Sequence, residues 1–316
     1  MRLADKIRDP STPVTFFEVV PPPADKPASL DSILAELQNL RGRVDAINLP
    51  EIHDESRSAP RNGRFVPRLE PRVLGERIWR ELETEVVVNR CVAYEADPVP
   101  WFRETAADLG ISNAVLVGGE SSKIQYPGLG VVEAARQLRS AGIAGCLGGI
   151  TIPSRLHEAE RIRQKAAAGL EFFTTQVLFD PNDIVWLIQK LNGLEARIFL
   201  SFAPVGQARD LEFLRWLGAD IPPDLDRFLM LGRRPEAGNE AAEPDGSEGA
   251  GASSFERSLD LAQRILMEVF DNLPPDPPPL GLNIEHINRR NFAPALKMLD
   301  RLGDLYGNLV MARARV

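Results

Sequence analysis

A chain of 316 residues, 44% hydrophobic and 26% charged, has globular composition and enough length for a large core. Its net charge of -8 and its lack of a basic block exclude the Lys/Arg footprint that nucleic acid requires. No apolar run approaches the ~20 residues of a membrane span, and the opening MRLADKIRDP lacks the apolar core of a signal peptide. A soluble, cytoplasmic protein is expected, monomeric or homo-oligomeric. Its two cysteines, Cys91 and Cys146, lie in separate strand-like segments without metal-ligand spacing, so they read as buried thiols and no metal is expected.

The first strand candidate is VTFFEVV (14–20), an apolar run with Glu18 inside it. Pro21, Pro22 and Pro23 end it, because prolines offer no N–H to a ladder. SLDSILAELQNL then reads as a helix with Ser29 at its N-cap and Leu30, Ile33, Leu34, Leu37 and Leu40 on one face. Further strands are expected at 44–49, 84–92, 113–119, 145–152, 171–179, 196–202 and 280–287. Between them lie helical runs, several closed by a glycine: Gly142, Gly169 and Gly193. Trp101, Trp186 and Trp216 fall on helical faces and are expected in the core. Residues 233–254, RRPEAGNEAAEPDGSEGAGASS, have no apolar face and read as a flexible insertion between the seventh and eighth strands.

Eight strands alternating with helices suggest βαβ units, and eight such units close into an α/β TIM barrel, (β/α)8. The expectation is a single barrel domain over 1–316. An open doubly wound sheet is the alternative, but it favours a Gly-rich turn after the first strand, and EVVPPPADKP has no glycine. A barrel places its site where the strands end. There the sequence offers Glu18, then Glu51, Asp54 and Glu55 in PEIHDESR, Glu120 in GGE, Gln176 in TTQ, and Glu285, His286 and Arg289 in EHINR. Without its flanking motif, Glu18 would read as a buried acid paired with a cation such as Arg90, and His286 reads as structural.

FFEVVPP, VGGE, AAAGLEFFTTQVLFD and NIEHINR occur in the order seen in the methylenetetrahydrofolate reductase family, which the chain resembles over nearly its whole length outside 233–254. Common members read F-E-F-F-P-P, R-G-D, A-G-A-x-x-x-x-T-Q-x-x-F-D and Y-T-L-N-R at these places. The resemblance implies reduction of 5,10-methylenetetrahydrofolate to 5-methyltetrahydrofolate by NADH or NADPH. Glu18 matches the general acid that protonates the leaving nitrogen, a role that needs a raised carboxyl pKa. Glu120 matches the carboxylate that stabilises the iminium. Gln176 matches the amide on the pterin, and Arg289 matches an arginine at the folate tail.

FAD is the family's usual relay, and here the match weakens. Four places of flavin contact read Pro50, Asn89, Gly118 and about Ile152. Asn89, Gly119, Tyr126 and Lys165 remain as candidate cofactor contacts. The balance favours an enzyme with little or no flavin, in which the nicotinamide meets the folate directly and Glu55 could assist proton transfer. Two other readings stay open. One is a non-catalytic folate-binding subunit of a methyltransferase or reductase complex; the other is a folate-dependent barrel methyltransferase.

Overall fold

Each of the eight apolar runs forms a strand inside its expected range. The computed structural model describes residues 1–26, 28–54, 65–119, 124–231, 253–286 and 291–313. The strands are β1 (Thr15–Val19), β2 (Ala46–Leu49), β3 (Glu85–Cys91), β4 (Asn113–Val117), β5 (Leu147–Thr151), β6 (Phe172–Thr175), β7 (Arg197–Phe202) and β8 (Leu280–His286). They pair in parallel, in chain order, and β8 closes on β1, giving a (β/α)8 barrel. The helices are α1 (Leu3–Arg8), α2 (Ser29–Leu37), α3 (Pro71–Leu82), α4 (Val99–Leu109), α5 (Val131–Ser140) and α6 (Glu158–Ala167). They continue with α7 (Pro181–Lys190), α8 (Ala208–Trp216), α9 (Leu225–Leu229), α10 (Ser254–Asp271) and α11 (Phe292–Arg313). Among the described residues no helix is long and apolar enough to cross a membrane.

The two-residue side-chain period sorts each strand into an outer row and an inner row. Outer residues such as Phe17, Ile47, Val88, Leu116 and Leu200 meet the helices in the main core. Inner residues Phe16, Ala46, Val87, Val115, Phe172 and Phe199 fill the barrel. Phe16 stacks on Phe199 with ring centres 3.9 Å apart, and Phe172 meets both rings edge-on at 5.7 Å. Gly148 and Gly281 make room for these rings: an added Cβ would lie 2.3 Å from Phe172 at Gly148 and 2.4 Å from Phe199 at Gly281. Gly148→Ala is therefore expected to cost ~1–3 kcal/mol of stability through overpacking, read as a lower urea midpoint with an unchanged slope.

Below the aromatic layer, α1 plugs the barrel with Leu3 and Ile7. Arg197, fully buried in β7, holds the plug. Its guanidinium donates to the carbonyls of Lys6, Ile7 and Asp9, at the C-terminal end of α1, and to that of Leu280 in β8. A cation at the negative end of a helix is favourably placed. Tyr306 of α11 ties the same seam, accepting from the Val14 amide and donating to the Leu280 carbonyl.

Several local expectations need correction. Ser29 is the first residue of α2, not its N-cap; its hydroxyl donates to the Lys26 carbonyl, closing the preceding turn. Trp186 is half exposed, because Ile184, Leu187 and Ile188 already form the buried face of α7. Trp216 is only partly buried. Trp101 is buried as expected, with the guanidinium groups of Arg72 and Arg90 lying 4.6 and 4.8 Å from its ring centre. Gly142, Gly169 and Gly193 all take positive φ beyond their helices. Cys91 and Cys146 are buried and not joined in a disulfide. Most of the 233–254 segment lies outside the described residues; Ser253 caps α10 by accepting from the Glu256 amide.

Candidate active site

Toward the C-terminal ends of the strands, the inner row turns polar. Two residues beyond Phe16 stands Glu18; beyond Ala46, Asn48; beyond Val87, Asn89; beyond Phe199, Ser201. In β8 the inner row is Gly281, Asn283 and Glu285. In register, Glu18 lies beside Asn48 on one side and Glu285 on the other, and Asn283 lies beside Ser201. A floor of three phenylalanines thus carries a polar layer built around two carboxyls.

The contacts define each group. Asn48 Nδ2 donates to Glu18 Oε2 at 2.7 Å. Asn283 Nδ2 donates to Ser201 Oγ at 2.9 Å and reaches Glu285 Oε1 at 3.5 Å. Burial pushes the Glu18 carboxyl up to about 7, against the hydrogen bond from Asn48. Burial also raises Glu285 well above the ordinary range, the charge of Glu18 adds to the rise, and a hydrogen bond from Ser201 opposes it. The amide oxygens of Asn48, Asn89 and Asn283 are buried acceptors without a donor within the described structure. Such groups fit a ligand bearing N–H donors.

Arg90 does not neutralise Glu18. It turns outward to pair with Glu51 at 2.6 Å and with Glu95, over the Trp101 ring. Burial works to raise Glu51, but hydrogen bonds from His53 and the Cys91 amide, with the charge of Arg90, hold it below the ordinary carboxylate range. Glu51 is thereby committed to loop structure. His286 also turns outward, its ring edge-on to Phe292 at 5.4 Å.

Gln176 follows β6 directly, and its amide donates to the Leu217 carbonyl at 2.8 Å beyond α8. It lines a cleft of about 30 Å³ with Ile152, Pro153 and Phe179. Gly119 and Tyr126 come together: a Cβ on Gly119 would lie 2.1 Å from the Tyr126 ring. Tyr126 meets Tyr94 edge-on at 5.5 Å, and Tyr94 meets His53 at 5.0 Å. Lys165 is half-buried, not solvated, on the helix side of the barrel wall. Its ammonium donates to the Ile150 carbonyl at 2.8 Å and lies over the Phe173 ring, and burial lowers its pKa to about 8. Glu55, Glu120 and Arg289 lie outside the described residues. Among the described residues no group of three or more His, Cys, Asp or Glu side chains is arranged for a metal ion.

Reading by motif left Asn48, Ser201 and Asn283 unremarked and gave Glu285 no role. The signal was present: a polar residue two places after an inward apolar one, late in a strand that is otherwise apolar.

No family model matches the chain, and no curated protein matches it. Among solved structures, it is similar to an uncharacterized protein from Clostridium thermocellum described as binding two copies of 5-methyl-5,6,7,8-tetrahydrofolic acid. The TM-score is 0.72 at 19% identity, over 96% of this chain and 99% of that one. A weaker likeness, TM-score 0.44 at 15% identity, is to 2,3-dimethylmalate lyase, a PEP mutase/isocitrate lyase superfamily member, over 67% of this chain and 75% of that one. At such identities the likeness to the Clostridium protein establishes a shared barrel fold.

Proposed function

We propose that this barrel binds a reduced folate at its mouth and reduces 5,10-methylenetetrahydrofolate to 5-methyltetrahydrofolate with NADH or NADPH. The observation that carries the reading is Glu18, a carboxyl kept protonated near neutral pH at the end of β1 with no cation on it among the described residues. A folate-binding barrel of the same fold supports the substrate class.

Glu18 gives its proton to the leaving nitrogen of the substrate's five-membered ring. The C–N bond breaks, its electron pair stays with that nitrogen, and an iminium ion forms. Reduced nicotinamide supplies the hydride that quenches it. Asn48 orients the acid, and the free amide oxygens of Asn48 and Asn89 offer acceptors to pterin N–H groups. Glu120, Gln176 and Arg289 keep the iminium, pterin and tail roles that their motif positions suggest, and Glu55 that of an assistant in proton transfer.

The residues present do not fit the family's flavin. Lys165, the retained candidate for its phosphates, spends its ammonium on Ile150 and Phe173 behind the barrel wall. Pro50, Gly118 and Ile152 lack the side chains of the usual contacts. In the proposed reaction the hydride therefore passes directly from nicotinamide to folate.

Purified protein is expected to be colourless and to oxidise NADH or NADPH only when methylenetetrahydrofolate is added, yielding 5-methyltetrahydrofolate. Folate binding without oxidation, restored by a partner protein, would instead support a folate-binding subunit. Absence of folate binding would sink both readings.

A further inference from the structure

Glu18 and Glu285 are register partners on adjacent parallel strands, and both belong to the inner row. Neighbouring strands run about 4.8 Å apart, so same-face side chains at paired positions face one another. Each carboxyl has its own amide: Asn48 on Glu18, Asn283 on Glu285. No described cation pairs with either; Arg90 is taken by Glu51 and Glu95, and His286 faces Phe292. From the flanking strands β2 and β7 the facing groups are Asn48 and Ser201, which do not titrate in the neutral range. Two acids that close, with only neutral neighbours described around them, cannot both ionise cheaply.

We propose that Glu18 and Glu285 work as a pair that holds one proton between two carboxyls after the first is lost, with Glu285 the positioning residue that returns it to Glu18. The transfer moves one proton from a Glu285 oxygen to a Glu18 oxygen; no other bond changes, and the pair keeps a charge of −1. Asn48, on Glu18, and Asn283, beside Glu285, each keep a buried amide oxygen without a donor among the described residues, an acceptor for a ligand N–H. The catalytic part of this inference rests on Glu18 being the acid proposed above; the shared proton itself does not.

The physical reason is electrostatic. One carboxyl of the pair ionises first, near the raised value of about 7 that burial gives Glu18, and the charge it leaves then holds the second proton on the pair. A lone acid would be spent above that point. A pair retains a proton that visits Glu18, so acid chemistry continues at a lower level, and solvent reloads the pair after each turnover.

The test uses the intact, ligand-free protein. Infrared difference spectra should show a protonated carboxyl one unit above the first ionisation, at about pH 8. In Glu285→Gln that signal should fall about tenfold, and Glu285→Asp should restore it. In turnover with methylenetetrahydrofolate, the wild-type rate should settle on a plateau above the first ionisation. The Glu285→Gln rate should keep falling about tenfold per pH unit. A wild type with no protonated carboxyl at that pH, or a signal untouched by Glu285→Gln, overturns the pair. An intact infrared result in a protein that never turns over folate supports the shared proton and sinks the folate reading alone.

Discussion

Glu18→Gln is expected to lower methylenetetrahydrofolate reduction by ~10²- to 10⁴-fold, the range that general acids contribute, with a much smaller change in folate affinity. Glutamine keeps the length of the side chain and an acceptor for Asn48, but it has no acidic proton to give. The same substitution should stabilise the protein, and the sign follows from the raised carboxyl. An unfolded chain ionises Glu18 near 4.5, whereas the folded chain resists until about 7. Below pH 4.5 both states hold the proton, and Glu18 costs nothing. As pH rises from 4.5 to 7 the wild type loses stability that Glu18→Gln keeps, and above 7 the gap is constant. Its upper size is roughly 3 kcal/mol, from 1.36 kcal/mol per pKa unit. Urea midpoints across this window check it. A variant that turns over at the wild-type rate, or that gains nothing as pH rises, removes Glu18 from the mechanism.

Arg197→Met should cost about 3 kcal/mol or more and should free α1 from the base of the barrel. Methionine restores much of the apolar stem but none of the donors. The carbonyls of Lys6, Ile7, Asp9 and Leu280 lose the guanidinium that joins them. Leu280 keeps the Tyr306 hydroxyl and Asp9 the Thr12 amide, so the loss falls mainly on Lys6 and Ile7; each buried acceptor left unpaired costs ~1–3 kcal/mol, partly offset by no longer burying a charge. Arg197→Lys should fall between the two, since an ammonium cannot span this fork of carbonyls. Hydrogen exchange of residues 3–8 should accelerate in Arg197→Met well beyond that of the strands. If the plug stays as protected as in wild type, Leu3 and Ile7 hold α1 unaided.

The barrel was legible in the sequence because its signal is local and repeated: apolar strands, amphipathic helices, glycines beyond helix ends. Glu18 was legible too, as an acid inside a hydrophobic strand. Its surroundings were harder to read. The pairing of Glu18 with Glu285 joins the first and last strands, and that adjacency arises only when the sheet closes. Nothing in residues 196–202 marks Arg197 as buried; its burial depends on a helix nearly two hundred residues away in sequence. Lys165 kept its motif position, yet the side chain lies against the outer side of the wall, which spacing alone does not reveal. Trp186 was misplaced because the buried stripe of α7 was already filled by smaller apolar residues.

The β8–β1 seam has a consequence for how the proposed activity would arise. Glu18 enters the chain with the first strand and Glu285 with the last. Every intermediate that has paired β1 with β2 but not yet with β8 holds Glu18 at an unzipped edge, wet and ionised like any surface carboxylate. Closing the seam takes both acids out of bulk water together and, on the pair proposed above, creates the shared proton in the same event. On that reading the proton waits on topology: a partly wound sheet holds an ordinary carboxylate, and only the closed ring keeps a carboxyl protonated near neutral pH.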